Sequence, residues 1–456
     1  MCGIAGIFSN KENINSQNIY DMISSLNHRG PDNSGVWINN NNSVFLGHTR
    51  LSILDLSSNG NQPFHSSNGR YHLTFNGEIY NYKELREYLQ KDYSINFNST
   101  SDTEVLTELI SLKGIHKATE LLNGMFAFAV WDSHENIIHL VRDRFGEKPL
   151  FYYFKNNNLF FASEIGAILK IKSIPKIINK KALSQYLRFN YIDHPLTIYK
   201  DICKLSPGHI LSINKDMVAK AVSYHIVVKE DYQIKSKKDT EKIIEHQIIK
   251  SCLSRKVSDV PIGCFLSGGI DSSLVTSIIQ KSSIQKIKTF TIGFDDQQID
   301  ESKYAENIAS YLGTEHHTLR ISDKELINNI PNLSEIYGEP FADQSSLATH
   351  ILCNYSSKSL KVVLSGDGGD EMFLGYDRYY QVNTLRRFLK GIELIGLSNK
   401  KKFIFKQLIK IINKGNMPFE KDKIMKLLAL LIDSDYKNIY QKFNSIFRDR
   451  QFPQMP

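Results

Sequence analysis

Cys2 sits directly behind Met1, where a small residue normally allows the initiator methionine to be removed. The new first residue would then carry a thiol and a free α-amine on one carbon. Their ordinary pKa values, about 8.5 and about 7.7 to 8.0, differ by less than about one unit. Passing the proton from sulfur to nitrogen therefore costs on the order of 1 kcal/mol, and the amine is a built-in base for a nucleophilic thiol. Taken alone, Cys2 also reads as a small buried residue in a first strand. A second cluster is FLSGGIDSS, from Phe265 to Ser273. It lies between a buried-strand pattern, VPIGCFL, and a helical pattern, SSLVTSIIQ, so backbone N–H groups and a helix N-terminus can face a phosphate. Ser267, Ser272 and Ser273 add hydroxyls. There is no GxxxxGK[ST], so transfer of a terminal phosphate is not what this turn suggests. Asp271 offers carboxylate oxygen to a hard cation such as Mg²⁺, or simply caps the following helix. A third stretch, LSGDGGDEMFLGY from Leu364 to Tyr376, reads as an acidic turn or a calcium loop, but it lacks the alternating ligand spacing of an EF-hand.

The elements that must position these groups differ between the two halves. Up to about Ile213 the chain holds short β-like runs: CGIAGIF, SVFLGHTRLSIL, YHLTFNGEIY, MFAFAVWD, IIHLVRD, LFYYF and LFFASE, separated by Asn-rich turns. Such alternating or continuous apolar runs predict stacked sheets. The polar stretch from Lys229 to Lys242 reads as a linker into a helix with a stripe of Ile244, Ile248, Ile249 and Leu253. Beyond it strands (VPIGCFL, KTFTIGF, KVVLS) alternate with helices (SSLVTSIIQ, with Leu274, Val275, Ile278 and Ile279 on one face, then ESKYAENIASYLG), which predicts an α/β domain with a parallel sheet. The boundaries expected are 2–213, a linker at 214–242, and 243–456.

The length of 456 residues allows two or three domains, and 41% hydrophobic with 23% charged residues excludes disorder, collagen and small disulfide scaffolds. A net charge of +8 arises from 56 basic and 48 acidic residues, so most of it cancels and no nucleic-acid partner is expected. The five cysteines are scattered with no CxxC pair, and there is no signal-peptide pattern or apolar run of membrane length. A soluble, cytoplasmic protein is expected.

MCGIAGIF, NHRGPDNSG, GHTRLSILDL, FNGEIYN, SDTE and RDRFGEKPLFYY, in that order from Cys2 to about Leu169, closely resemble the glutaminase domain of class II glutamine amidotransferases. That domain has the N-terminal-nucleophile αββα sandwich, and RLSILDL and RDRFGEKPL look most like asparagine synthetases. The resemblance implies that Cys2 attacks the side-chain amide of glutamine, giving a glutamyl thioester and ammonia. It also implies that Asn76 and the backbone N–H of Gly77 bind the oxyanion, and that Arg50 grips the α-carboxylate beside Ile53. Glu78 and Asp102 would hold the ammonium. Alone, Asn76-Gly77 is a hairpin-turn signal, and Arg50 and Asp102 are surface charges.

SGGIDSS similarly resembles the pyrophosphate loop of ATP pyrophosphatases, the PP-loop enzymes. This implies ATP binding by Phe265, Ser267, Gly268, Gly269, Asp271 and Ser272, with Ile292 near adenine and Ser365 and Gly366 against the nucleotide. Asp271 and Asp370 would be Mg²⁺ ligands, Asp367 would support formation of an acyl-adenylate, and EPFADQSS, from Glu339 to Ser346, would contact the amino acid. Together these imply ammonia release at Cys2, an internal passage, and activation of aspartate as β-aspartyl-AMP. The substrates expected are glutamine, aspartate and ATP, and a homodimer is compatible. The basic stretch from Lys400 to Lys414 reads as a solvated helix. The family pattern continues into a KxDR-like motif that is not found between Tyr380 and Pro456, so a shortened synthetase half is expected. Two alternatives stay open: an amidotransferase for another carboxylate, such as a sugar acid, and a nucleotide-binding homologue with glutaminase activity only.

Overall fold

A computed structural model of the chain describes residues 1–10, 15–225 and 236–394. Its strands are β1 (Gly3–Ser9), β2 (Asn33–Ile38), β3 (Val44–Arg50), β4 (Phe64–His65), β5 (Tyr71–Ile79), β6 (Gly124–Asp132), β7 (Ile137–Arg142), β8 (Phe151–Lys155), β9 (Asn158–Ala162), β10 (Ile202–Lys204), β11 (His209–Asn214) and β12 (Ala219–Ser223), followed by β13 (Ile262–Phe265), β14 (Lys288–Phe294), β15 (Glu315–Ile321) and β16 (Val362–Leu364). The first twelve form two six-stranded antiparallel sheets, ordered β10-β8-β9-β1-β3-β2 and β12-β11-β7-β6-β5-β4.

Strand β1 shows why a run such as GIAGIF is continuously apolar. Ile4 and Phe8 point between the sheets, where they join Val44, Leu46, Ala127, Ala129 and Trp131. Ala5 and Ile7 point outward onto Ile19, Met22 and Ile23 of the helix Gln17–Ser24. With both faces covered, the period of two leaves no polar position. The other sheet is covered by the helices Tyr82–Tyr93 and Asp102–Leu121, whose Leu85, Leu89, Val105, Leu106 and Leu109 pack on Leu73, Phe75, Phe126 and Phe128. The result is helix, sheet, sheet, helix. Two polar ties cross between the sheets: Thr74 Oγ1 donates to Gly47 O at 3.0 Å, and His48 Nε2 meets Phe75 O at 3.1 Å. Burial pushes the His48 imidazole down to about 3, so it is neutral. Its Nε2 must carry the proton, because a carbonyl can only accept.

The remaining strands form a parallel sheet in the order β15-β14-β13-β16. The chain runs from β13 outward to β15, then returns to the opposite side of β13 as β16. That reversal makes a topological switch point, and ligands of open α/β sheets bind at the C-terminal ends of the strands flanking one. The core beside β13 comprises Cys252, Cys264, Ile279 and Ile287. In the helix Lys237–Ser254, Cys252 and Ile248, four residues apart, face that core, while Ile244, Ile249 and Leu253 of the expected stripe are exposed. In the helix Ile270–Lys281, Ile279 is buried, Val275 and Ile278 half-buried and Leu274 exposed.

Within the expected linker 214–242, β12 pairs with β11, and the helix starts at Lys237. Residues 226–235 lie outside the described residues, as do the basic stretch 400–414 and the rest of the chain beyond 394. All five cysteines are free thiols. Among the described residues, no helix is long and apolar enough to cross a membrane. The chain divides into two compact units, one of Met1–Leu183 with Tyr191–Ser365, the other of Ser184–Asn190 with the chain from Gly366 onward.

Candidate active site

Cys2 leads into β1 at the end of the sandwich where β3 and β5 also finish. Its Sγ lies 3.4 Å from the N–H of Leu51 and 3.7 Å from the Leu51 carbonyl. Its own carbonyl accepts from Arg29 Nε at 3.0 Å, and Arg29 Nη1 is anchored on Glu164 at 2.8 Å. Cys2 opens onto a solvent-connected pocket whose lining includes Arg50, Ile53, Asn76, Gly77, Glu78 and Asp102. All seven residues expected for glutamine thus meet in one cavity, though they are spread from Cys2 to Asp102 along the chain.

Strand pairing explains how. Asn76 and Gly77 lie inside β5, opposite Ala127 and Phe126 of β6, so they are not a hairpin turn. Their neighbour Phe75 is fixed on both sides: its N–H donates to Gln62 Oε1 at 2.7 Å and its carbonyl accepts from His48. Asn76 is 1% exposed, and its Nδ2 has no hydrogen-bond partner. A buried amide donor left unpaired is costly, and its place in a pocket beside a thiol marks it for a ligand oxygen. Gly77 allows the close approach of the two strands, since a Cβ there would lie 2.2 Å from the Met125 carbonyl oxygen. Gly77→Ala is expected to lower stability by about 1–3 kcal/mol, the range for overpacking, which thermal unfolding would register.

The charges are strongly conditioned by burial. Burial and the neighbouring Asp102 raise the Glu78 carboxyl to about 7. Burial raises Asp102 to about 6, against hydrogen bonds that include the Ile79 N–H at 2.9 Å. Burial likewise pushes the Cys2 thiol up and the Met1 α-amine down, the latter to about 6. Arg50 is placed differently from a free carboxylate clamp. Its Nη1 donates to Ser57 O at 2.7 Å and to Asn61 Oδ1 at 2.8 Å, and its Nη2 to the carbonyls of Leu54 and Asp55. Here Arg50 organises the loop that forms one wall, and gripping a substrate carboxylate would require it to exchange some of those bonds.

The pocket also contains residues that motif reading passed over. Lys148, within RDRFGEKPL, is 6% exposed and lines the cavity, with its Nζ 2.9 Å from Met1 Sδ. Burial pushes its ammonium down, opposed by Glu78. Gln62 and Thr103 also line the cavity, linked by a 3.4 Å hydrogen bond. An isolated Gln or Thr carries no chemical signal in sequence. Lys148 could have been singled out as a cation inside a quoted motif.

The second constellation lies at the switch point. Phe265 ends β13, and Ser267, Gly268 and Gly269 turn into the helix Ile270–Lys281, which Gly269 leaves without a side-chain cap. Gly268 has φ +86°, and a Cβ there would crowd Tyr304 Cβ at 2.8 Å. Ser267 Oγ and Ser272 Oγ are 3.0 Å apart, and Ser273 Oγ donates to Gly269 O. The uncapped first-turn N–H groups and the positive end of the helix dipole form an anion cradle. Asp271, in that first turn, is the carboxylate beside it. Ile292 is half-buried near the end of β14, and Ser365 follows β16 directly. Gly366, Asp367 and Asp370 fall in the second unit, Asp370 within the short helix Gly369–Phe373. Glu339, expected near the amino-acid substrate, instead meets Lys204 Nζ at 2.5 Å and accepts the Ile198 N–H. Among the described residues, no three His, Cys, Asp or Glu side chains converge as a metal cluster. An Mg²⁺ carried by nucleotide phosphates needs only one or two carboxylates, which Asp271 fits.

Comparison with known proteins agrees with this division of labour. Residues 1–225 match the family model described as a glutamine amidotransferase domain, and residues 244–444 match asparagine synthase. A Methanocaldococcus jannaschii protein provisionally named asparagine synthetase [glutamine-hydrolyzing] 2 is 36% identical over 423 residues, covering 87% of this chain and 80% of that one. The chain belongs to the glutamine-hydrolysing asparagine synthetase family. Asparagine synthetase [glutamine-hydrolyzing] 1 of Bacillus subtilis is also 36% identical, over 85% of this chain and 61% of its own length. Among solved structures, the B. subtilis glutamine phosphoribosylpyrophosphate amidotransferase has 16% identity and a TM-score of 0.39, covering 70% of this chain and 81% of that one. Each family model covers one of the two constellations described above.

Proposed function

We propose that this family member makes asparagine from aspartate, ATP and glutamine. The observation that carries the reading is the single pocket joining Cys2, the unpartnered Asn76 Nδ2 and the acidic pair Glu78–Asp102. With Met1 removed, the Cys2 α-amine takes the thiol proton, and sulfur attacks the glutamine amide carbon. The oxyanion that develops accepts from Asn76 Nδ2 and the Gly77 N–H. Collapse expels ammonia with a proton from the amine, and water hydrolyses the thioester to glutamate. The Glu78 and Asp102 carboxylates face the substrate ammonium. Arg50 meets its carboxylate after exchanging some of its loop partners.

At the other site, the β-carboxylate of aspartate attacks the α-phosphate of ATP, and pyrophosphate leaves from the cradle of Ser267 to Ser273. Ammonia then attacks the β-aspartyl-AMP acyl carbon and AMP leaves. Asp271 would hold the Mg²⁺ that offsets phosphate charge, and Ser365 would add a hydroxyl to the nucleotide site. Incubation with glutamine, ATP, Mg²⁺ and aspartate is expected to yield asparagine, AMP and pyrophosphate in equal amounts. Absence of AMP with aspartate would overturn this reading. Adenylation of another acid, or glutamate release with no ATP consumed across several acids, would point instead to the two alternatives named above.

The carboxylate pKa values give a pH signature. Below about 6 both Glu78 and Asp102 are protonated and offer no charge to an ammonium; above about 7 both are ionised. Between the ordinary carboxyl range and these values, the folded chain keeps protons that the unfolded chain has lost, so their contribution to stability falls as pH rises. A bound ammonium offsets this. The rise in Tm caused by glutamine, measured on Cys2→Ala to prevent turnover, is therefore expected to grow from pH 5 to pH 8. A pH-independent rise would exclude the acidic pair as the ammonium site.

A further inference from the structure

One wall of the glutamine pocket is held from the parallel sheet. Leu51, Ile53 and Leu54 line the pocket, and the next residue, Asp55, has φ +52°. Its own carboxylate supports that left-handed conformation locally, Oδ1 accepting the Ser57 N–H at 3.0 Å. Two residues of the other half tie the loop further. Asp259 donates its N–H to Ile53 O at 3.0 Å and accepts the Asp55 N–H on Oδ2 at 2.8 Å. Lys361 Nζ donates to Asp32 Oδ2 at 2.6 Å, and that same oxygen accepts the Ser52 N–H at 2.7 Å.

The positions of these two residues in the fold give the contacts their meaning. Asp259 lies just before β13 and Lys361 immediately before β16, and the two strands are hydrogen-bonded neighbours with Ile262 opposite Val362. At their other ends, the chain enters FLSGG and LSGDGG. β13 has 4 residues and β16 has 3, so roughly 10–13 Å of strand separates each anchor from a nucleotide signature. Loop 51–55 also carries the Leu51 N–H that donates to Cys2 Sγ and the carbonyls that hold Arg50.

We propose that Asp259 and Lys361 are positioning residues for glutamine hydrolysis, contributed by the parallel-sheet half, that fix loop 51–55 against Cys2 and link its order to β13 and β16. This rests on reading the pocket as a glutamine site. In the full chain, Asp259→Ala and Lys361→Met are expected to raise KM for glutamine by about fivefold to tenfold, with glutaminase kcat changed by less than about twofold and ammonia-driven synthesis intact. Asp259→Asn keeps an acceptor oxygen and is expected to recover most of the loss. Amide hydrogen exchange at Ser52 and Asp55, measured without substrate, is expected to quicken by about tenfold in the first two variants. Unchanged exchange, an unchanged KM, or an equal loss of glutamine-driven and ammonia-driven synthesis would overturn the proposal. Faster exchange in variants of a parent chain that does not hydrolyse glutamine would uphold the clasp and overturn the reading of the pocket.

Discussion

Cys2→Ala is expected to abolish asparagine formation from glutamine and to leave formation from added ammonia within about twofold of the parent. The thiol is the only group in the pocket placed to form a thioester. Its neighbours Leu51, Arg29 and Thr49 hold the backbone and sulfur of the segment, and none of them can replace the nucleophile. The fold has little stake in the sulfur. Cys2 lies before β1, and the apolar side chains that close the sandwich begin at Ile4. The variant is therefore expected to remain folded, with added ammonia bypassing the lost step. Loss of both reactions, in a protein with an unchanged Tm, would contradict two separable sites.

Asn76→Ala is expected to lower glutaminase kcat by about 10² to 10³, equivalent to about 2.7–4 kcal/mol of transition-state stabilisation, with a much smaller change in KM. The reasoning rests on its unpartnered Nδ2. A ground-state amide oxygen is a weak acceptor, whereas the oxyanion of the tetrahedral intermediate carries full charge, so the donor acts chiefly in the transition state. The neighbouring backbone is secured by Gln62 and His48 through Phe75, so truncating the Asn76 side chain leaves β5 in place. Steady-state glutaminase assays check the split between kcat and KM, and ammonia-driven synthesis in the same protein serves as the control. An unchanged kcat would remove Asn76 from the oxyanion site.

Much of this architecture is legible in the chain itself. The strands of the sandwich announce themselves because both faces of each sheet are covered, which forces near-continuous apolar runs such as GMFAFAVWD. Cys2, Asn76, Gly77 and the SGGIDSS turn stand out in the chain through the order of the motifs around them and the family those motifs resemble; alone, Cys2 reads as a core residue and Asn76-Gly77 as a hairpin turn. Lys148 and Gln62 were not singled out, since a lysine or glutamine acquires meaning only from what surrounds it in space. The helix Lys237–Ser254 shows the limit of periodicity. Four apolar residues at helical spacing suggested one stripe, yet the core accepts Ile248 and Cys252 and leaves three of the four exposed.

The sequence by itself determined the kinds of sheet and the motif order that resembles a two-site amidotransferase, with a cysteine at position 2 and a glycine-rich turn between a strand and a helix. Tertiary structure alone decided that Arg50 is bound up in its own loop, that burial raises the Glu78 and Asp102 carboxyls to about 7 and about 6, and that Asp259 and Lys361 reach across to the loop beside Cys2 and to Asp32 that holds it. The physical reason is range. Local spacing records what one segment can do, whereas desolvation, charge proximity and clasping contacts depend on residues that only the folded chain brings together.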